Sequence, residues 1–215
     1  MRKILMIVFI IAFVSNSKAQ SSSGFGIMTG ATYYLGDINP SEHFYDTKPM
    51  IGGVYRYNFN DTYALRLNCM FGKISASDKD FNNGYQQARS RSFKSDFLSI
   101  STNFEYNFYP FWAPKKSWSY SIVPFVSLGV GFIKTNAATS ATLPMTIGFK
   151  WLATGGLTIG LESSFIKTFS DNIDELPDPI NTGKTSYFIN NDWISYTGIV
   201  LTYRFSSCDA CFYQQ

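Results

Sequence analysis

The sequence predicts an all-β protein: an eight-stranded antiparallel up-and-down transmembrane β-barrel with a polar interior, short periplasmic turns and longer external loops. Three observations point there. The chain alternates with period two from Gly24 onward, its alternation is inverted relative to a soluble sheet, and the links between strands alternate in length. Composition agrees. Of 215 residues, 45% are apolar and 18% aromatic, and only 15% are charged, against about 25% charged in an average soluble domain. A chain this apolar buries a core or faces lipid, which excludes intrinsic disorder. A bundle of membrane helices is excluded too, because only one apolar run approaches spanning length.

The elements follow in chain order. Residues 1–19 read as a secretory signal peptide: Arg2 and Lys3 supply the positive start, Ile4 to Val14 is unbroken apolar sequence, and Ser17 and Ala19 precede a cut before Gln20. No Cys follows the cut, which argues against a lipoprotein. Removal takes Arg2, Lys3 and Lys18 from 18 basic residues and leaves 15, balanced by 15 acidic ones. The mature chain is near neutral, so the basic pI gives no argument for a nucleic-acid partner. Residues 20–205 are the barrel, and 206–215 a periplasmic tail carrying Cys208-Asp-Ala-Cys211.

Eight strands are expected: Gly24–Gly36, Lys48–Phe59, Tyr63–Ser75, Lys94–Tyr109, Tyr120–Lys134, Met145–Thr154, Leu157–Phe169 and Asp192–Phe205. They match or exceed the ~9–11 residues of a tilted membrane-spanning strand. On the third, Tyr63, Leu65, Leu67, Cys69 and Phe71 share one side, and Arg66, Asn68 and Met70 the other. On the fourth, Leu98, Ile100, Phe104 and Phe108 oppose Ser99, Ser101, Asn103, Glu105 and Asn107. On the last, Ile199, Leu201, Tyr203 and Phe205 oppose Gly198, Thr202 and Arg204. An apolar exterior around a polar interior defines a membrane barrel, closed because no sheet edge stays unpaired in lipid.

Links Asn60–Thr62, Pro110–Ser119 and Gly155–Gly156 form one end; Asp37–Thr47, Ala76–Phe93, Thr135–Pro144 and Ser170–Asn191 form the other. The shorter set is periplasmic by the usual asymmetry, which puts both termini there. Tyr109, Trp112, Trp118 and Tyr120 flank one turn, where an interfacial girdle sits.

The inward charges are Arg56, Arg66, Glu105, Lys150, Glu162 and Arg204. In a lumen only wide enough for side chains they are expected to pair, since unpaired buried charge is very costly. An acid/base pair of Glu105 and Glu162 is the functional alternative, and a conducting pore is disfavoured because channels need ~16–18 strands. His43, the single histidine, lies in the first external loop, where a Ser–His hydrolase would need it. Cys208 and Cys211 suit a local disulfide or a link to a partner in an oxidising compartment. Cys69 reads as a lipid-facing filler. Asp171, Asp174, Glu175 and Asp178 in the fourth external link fit no calcium-loop spacing.

Several segments together resemble the PorG-like outer-membrane barrels of type IX secretion in Bacteroidota. They are Gly30-Ala-Thr-Tyr-Tyr-Leu-Gly-Asp-Ile38, Tyr55-Arg-Tyr-Asn-Phe-Asn-Asp-Thr-Tyr-Ala-Leu-Arg66, Phe104-Glu-Tyr-Asn-Phe-Tyr-Pro-Phe111, and the closing strand from Asp192 to Phe205 with its Cys-containing tail. The resemblance implies a non-enzymatic structural component without a cofactor, embedded in outer-membrane lipid. It implies that the barrel anchors a periplasmic ring of PorK- and PorN-type lipoproteins, with no nucleic acid or small-molecule substrate. Geometry and resemblance together nominate Asn60, Asp61, Thr62, Phe111, Trp112, Trp118, Cys208, Cys211 and Phe212 as periplasmic contact positions. Two other readings are an adhesion or ligand-binding barrel working through its external loops and a lipid-modifying hydrolase using His43.

Overall fold

The computed structural model describes residues 22–36, 38–39, 42–81, 84–109, 122–153, 156–170, 173 and 192–205. The strands are β1 (Ser22–Leu35), β2 (Lys48–Asn58), β3 (Tyr63–Ser77), β4 (Ser92–Asn107), β5 (Ile122–Thr135), β6 (Thr139–Leu152), β7 (Leu157–Thr168) and β8 (Trp193–Phe205). Each pairs antiparallel with its sequence neighbours, and β1 closes on β8 from Ser23 opposite Phe205 to Leu35 opposite Trp193. All sixteen strand edges are thereby used, which is what a sheet in hydrocarbon requires. Among the described residues no helix is long and apolar enough to cross a membrane. Crossing falls to the strands.

Inward and outward positions follow the predicted parity. Along β3 every second residue from Ala64 to Ile74 is buried, and Leu65, Leu67, Cys69 and Phe71 face out. The outer wall is a continuous apolar band, its most exposed members including Phe132 at 67% and Ile27 at 64%. In water such a surface would aggregate; against acyl chains it is the favourable face. Where the band meets the short-turn end, rings stack from strand to strand. Phe25 lies 4.8 Å from Tyr55 and 6.0 Å from Phe205, and Tyr63 lies 5.5 Å from Tyr106. Phe59, Phe108 and Tyr203 extend this girdle. Among the described residues it is built from rings at the strand ends and beside the turns. Trp112, Trp118 and Tyr120 lie outside the described residues, while Tyr109 is exposed at the same end.

One link differs from expectation. β6 begins at Thr139 instead of Met145, so the third external link shrinks to a turn over 136–138. Pro144 suggests a strand boundary because it has no N–H to give the ladder. Here it sits inside β6, and the β5–β6 pairing skips Gly129 and Val130, which lie opposite Pro144 and Leu143, before resuming at Gly131 opposite Thr142. Thr135 then closes the turn, its Oγ1 accepting from Ala138 N at 3.0 Å. The link between β3 and β4 carries a 3-10 turn (Asp78–Asp80) and a short helix α1 (Gly84–Arg89). Asp78 fastens its base, donating its N–H to Arg91 O at 2.8 Å and accepting Arg91 N–H at 3.1 Å.

Candidate functional site

The lumen has two storeys. Toward the short-turn end, inward positions of seven strands deliver one polar network. Arg66 on β3 reaches across to β7 and grips Glu162 with both guanidinium arms, at 2.8 and 3.1 Å. Tyr196 on β8 donates its hydroxyl to the same carboxylate. Lys150 on β6 donates to Glu105 and, at 2.7 Å, to Asn107, both on β4. Arg56 on β2 sits 3.5 Å from Glu105 and donates to Thr202 on β8 at 3.2 Å. Arg66 also lies 3.5 Å from Glu105, joining both halves. β5 contributes Phe125, whose ring takes the Lys150 ammonium at 4.2 Å and the Arg66 guanidinium at 5.7 Å from its centroid. Only β1 is absent from this network.

These charges are fully enclosed: Arg66 and Lys150 are 1% exposed, Glu105 0% and Glu162 2%. Three enclosed cations face two carboxylates, so Phe125 and the uncharged acceptors Asn107 and Thr202 absorb the excess. Neither carboxylate stands free as an acid or base; each is held by cations from other strands. Arg204, the sixth predicted member, is half-buried below them and lines a small cleft at the short-turn end with Gly24, Arg56, Asn58, Thr158 and Thr202. Sequence parity marked all six charges. It did not mark Phe125 or Tyr196, whose inward parity is the same but which carry no charge to stand out.

Toward the long-loop end the interior turns apolar. Met28, Met50, Val54, Met70, Ile74, Phe97, Ile133, Ile166, Ile194 and Val200 form one buried cluster, roofed by Ile38 and Ile173 from the loops. Buried hydroxyls of Ser95, Ser99, Thr142, Thr168 and Ser195 lie among them, so the expected polar interior runs the length of the barrel, with this apolar cluster set into its long-loop half. The roof is pinned by side chains. Asn39 donates to Tyr34 O and Glu42 O at 2.8 Å each and accepts Glu42 N–H. Gln86 of α1 donates to Ile38 O at 2.9 Å. Asp192 accepts from the Tyr34 hydroxyl and from Ile173 N–H.

The β1–β2 loop folds outward over the rim. Its turn places Phe44 and Asp46 at positive φ, 62° and 44°, a conformation that costs side-chain residues unless neighbours hold it. Asp46 is held by Lys48 at 2.5 Å and by the Ser75 hydroxyl. Partial burial pushes its carboxyl up, but those donors and the Lys48 and Lys94 charges outweigh this and leave it below the usual carboxylate range. Tyr45 is pushed well above its ordinary value, by burial and by its hydroxyl's bond to Asp80. His43 does not enter the lumen: its Nδ1 lies 3.1 Å from the Tyr33 hydroxyl, and its ring stands edge-on to Tyr33 and Phe165 on the outer wall.

At the short-turn end, Asn60 accepts from Thr62 N at 2.9 Å and Tyr63 N at 2.8 Å, so its side chain is spent on the turn. Asp61 is exposed and Thr62 half-buried. Gly156, at φ 86°, makes the β6–β7 turn in a conformation suited to glycine and accepts from Arg204 N. Phe111, Trp112, Trp118, Cys208, Cys211 and Phe212 lie outside the described residues.

A closed eight-stranded barrel with an apolar wall, a ring girdle and a filled lumen defines the class of small membrane-spanning β-barrels. Within that class the chain belongs to the family described as a domain of unknown function, DUF6089, which it matches over residues 2–215. No curated protein matches the sequence. Among solved structures it is similar to the surface protein NspA of Neisseria, at 11% identity and TM-score 0.53 over 86% of this chain and 99% of that one. It is also similar to the attachment invasion locus protein Ail of Yersinia pestis, at 11% identity and TM-score 0.46 over the same shares of the two chains. OprG from Pseudomonas aeruginosa aligns over 87% of this chain and 95% of its own at 10% identity and TM-score 0.42. At such identities the NspA likeness speaks for the fold alone.

Proposed function

We propose that this protein is a non-enzymatic outer-membrane component of the type IX secretion machinery, with both termini in the periplasm, that anchors a periplasmic lipoprotein ring. The observation that carries the reading is the lumen. It is struted across its width by ions at one end and packed with apolar side chains at the other, so the barrel is a solid pin rather than a conduit. A pin suits an anchoring role, and the PorG-like segments supply the machine. The lumen carboxylates are engaged in cross-strand pairs, which favours structure over acid–base work.

Contacts with PorK- and PorN-type partners would fall on the short-turn face, around Asp61 and the Cys208–Cys211 tail. The test is a pull-down of the full chain from detergent-solubilised outer membrane, read by mass spectrometry. Co-purification of periplasmic lipoproteins, lost in Asp61→Lys or in Cys208→Ser with Cys211→Ser, is the expected result. A partnerless barrel refutes it. The competing adhesion reading draws on the ordered rim formed by α1, Asn39 and Tyr45; recovery of ring lipoproteins would count against it, since adhesion predicts capture by that rim instead.

A further inference from the structure

The outer wall is electrically lopsided. Among the described residues its short-turn end carries aromatic rings and no Lys or Arg, whereas Lys73, Lys94 and Lys134 project outward at the long-loop end. They lie on three successive strands. Lys73 faces Asp96 across the β3–β4 ladder, Lys94 faces Ser75, and Lys134 faces Leu98 across β4–β5. All three are exposed. Just below them the wall is plain hydrocarbon contact surface: Phe71 opposes Leu98, and Ile100 opposes Phe132. These cations therefore stand one strand step above the apolar band, at headgroup height.

We infer that Lys73, Lys94 and Lys134 form a docking surface for the phosphate groups of an anionic lipid in the leaflet on the long-loop side. Charge complementarity and position decide the occupant. Among the described residues, two carboxylates face these lysines. Asp96 is 3.6 Å from Lys73, and Asp46, already committed to Lys48 at 2.5 Å, faces Lys94. Lys48, Lys73, Lys94 and Lys134 against Asp46 and Asp96 leave two positive charges unneutralised. A flexible ammonium reaches a phosphate as a point charge, and its methylene stem stays on the apolar wall while it does so. A lipid satisfies both parts of the surface at once, with phosphates on the lysines and acyl chains on Phe71, Leu98, Ile100 and Phe132. A soluble anion or an acidic protein would use only the first part.

The inference rests on the membrane placement proposed above but not on the secretion role, so the pull-down and the lipid assay fail independently. The assay is native mass spectrometry of the full chain in detergent with diphosphoryl lipid A and with its dephosphorylated form as probes. The wild type should retain the diphosphorylated lipid selectively. One lysine at an anionic surface is worth about fivefold in affinity, so Lys73→Gln, Lys94→Gln, Lys134→Gln combined should weaken retention on the order of a hundredfold. Lys79→Gln, in the 3-10 turn away from the wall, should leave it unchanged. Rising salt should release the lipid from the wild type, which keeps the idea testable even if the triple variant misfolds. Equal retention by wild type and triple variant, or equal retention of the dephosphorylated lipid, overturns it.

Discussion

The two storeys of the lumen solve the same problem with opposite chemistry. Both must fill a space too narrow for water traffic and too wide for backbone alone. The apolar storey does so by volume: Met28, Met70, Ile74, Phe97 and their neighbours interdigitate, and no member depends on one particular partner. The charged storey does so by pairing: Glu105 and Glu162 each answer cations from strands across the barrel, and each member depends on the rest. The lesson is one of tolerance. Shape-based packing accepts substitutes of like size, whereas an enclosed ion network is costly to leave half-made.

The largest effect should therefore come from the smallest change of shape. Glu105→Gln keeps the outline but leaves Lys150 and Arg56 enclosed without their counter-charge, and should cost about 3–5 kcal/mol. Urea unfolding in lipid vesicles, followed by the β-sheet circular dichroism signal, measures it. The matching experiment upstairs is Ile74→Leu, a volume-conserving swap at a fully enclosed site. It should cost under about 1.5 kcal/mol in the same assay, while Ile74→Ala should cost about 2–5. If Glu105→Gln proves as mild as Ile74→Leu, the distinction between the storeys falls.

The smallest effect belongs to the rim, where charge is exposed and screened. Asp46 has a lowered pKa when folded. Its contribution is therefore present above the carboxylate's ordinary value and lost as pH falls through the folded one. Hydrogen exchange of residues 42–47 should stay protected at neutral pH and rise only in acid. Asp46→Asn should show the rise at every pH, at a cost below about 1 kcal/mol because the pair is half in water. An unchanged exchange profile in the variant would mean that the loop is held by Tyr33 and His43 packing alone.

Much of the charged storey was legible in the sequence. Period-two alternation on β3, β4 and β8 assigns the faces, and charge is rare enough in this chain that six inward positions stand out. The apolar storey was written in the same parity but in residue types that carry no contrast. Met70 falls on the inward side beside Arg66 and Asn68, yet nothing local tells an inward methionine from an outward one. The division along the axis depends on apolar inward positions of several strands meeting at one height, as Met70, Phe97, Ile133 and Ile166 do, which no single strand shows. The start of β6 was hidden by Pro144, because a one-residue rule about ladder donors gave way to pairing on both flanks. The roof, with Ile38 from one loop, Ile173 from another and Gln86 from α1, is made of contacts between segments far apart in sequence, which no local pattern encodes.

The claim that the charged storey is a strut across the barrel is tested most directly by a double-mutant cycle on Arg66 and Glu162. Stability in lipid vesicles would be measured for Arg66→Met, Glu162→Met and both together. The account predicts that each single change is severe and that the double is less costly than their sum by roughly 1–3 kcal/mol, because the second change removes the charge the first left stranded. Additive losses would mean that the two groups act separately, and would contradict it.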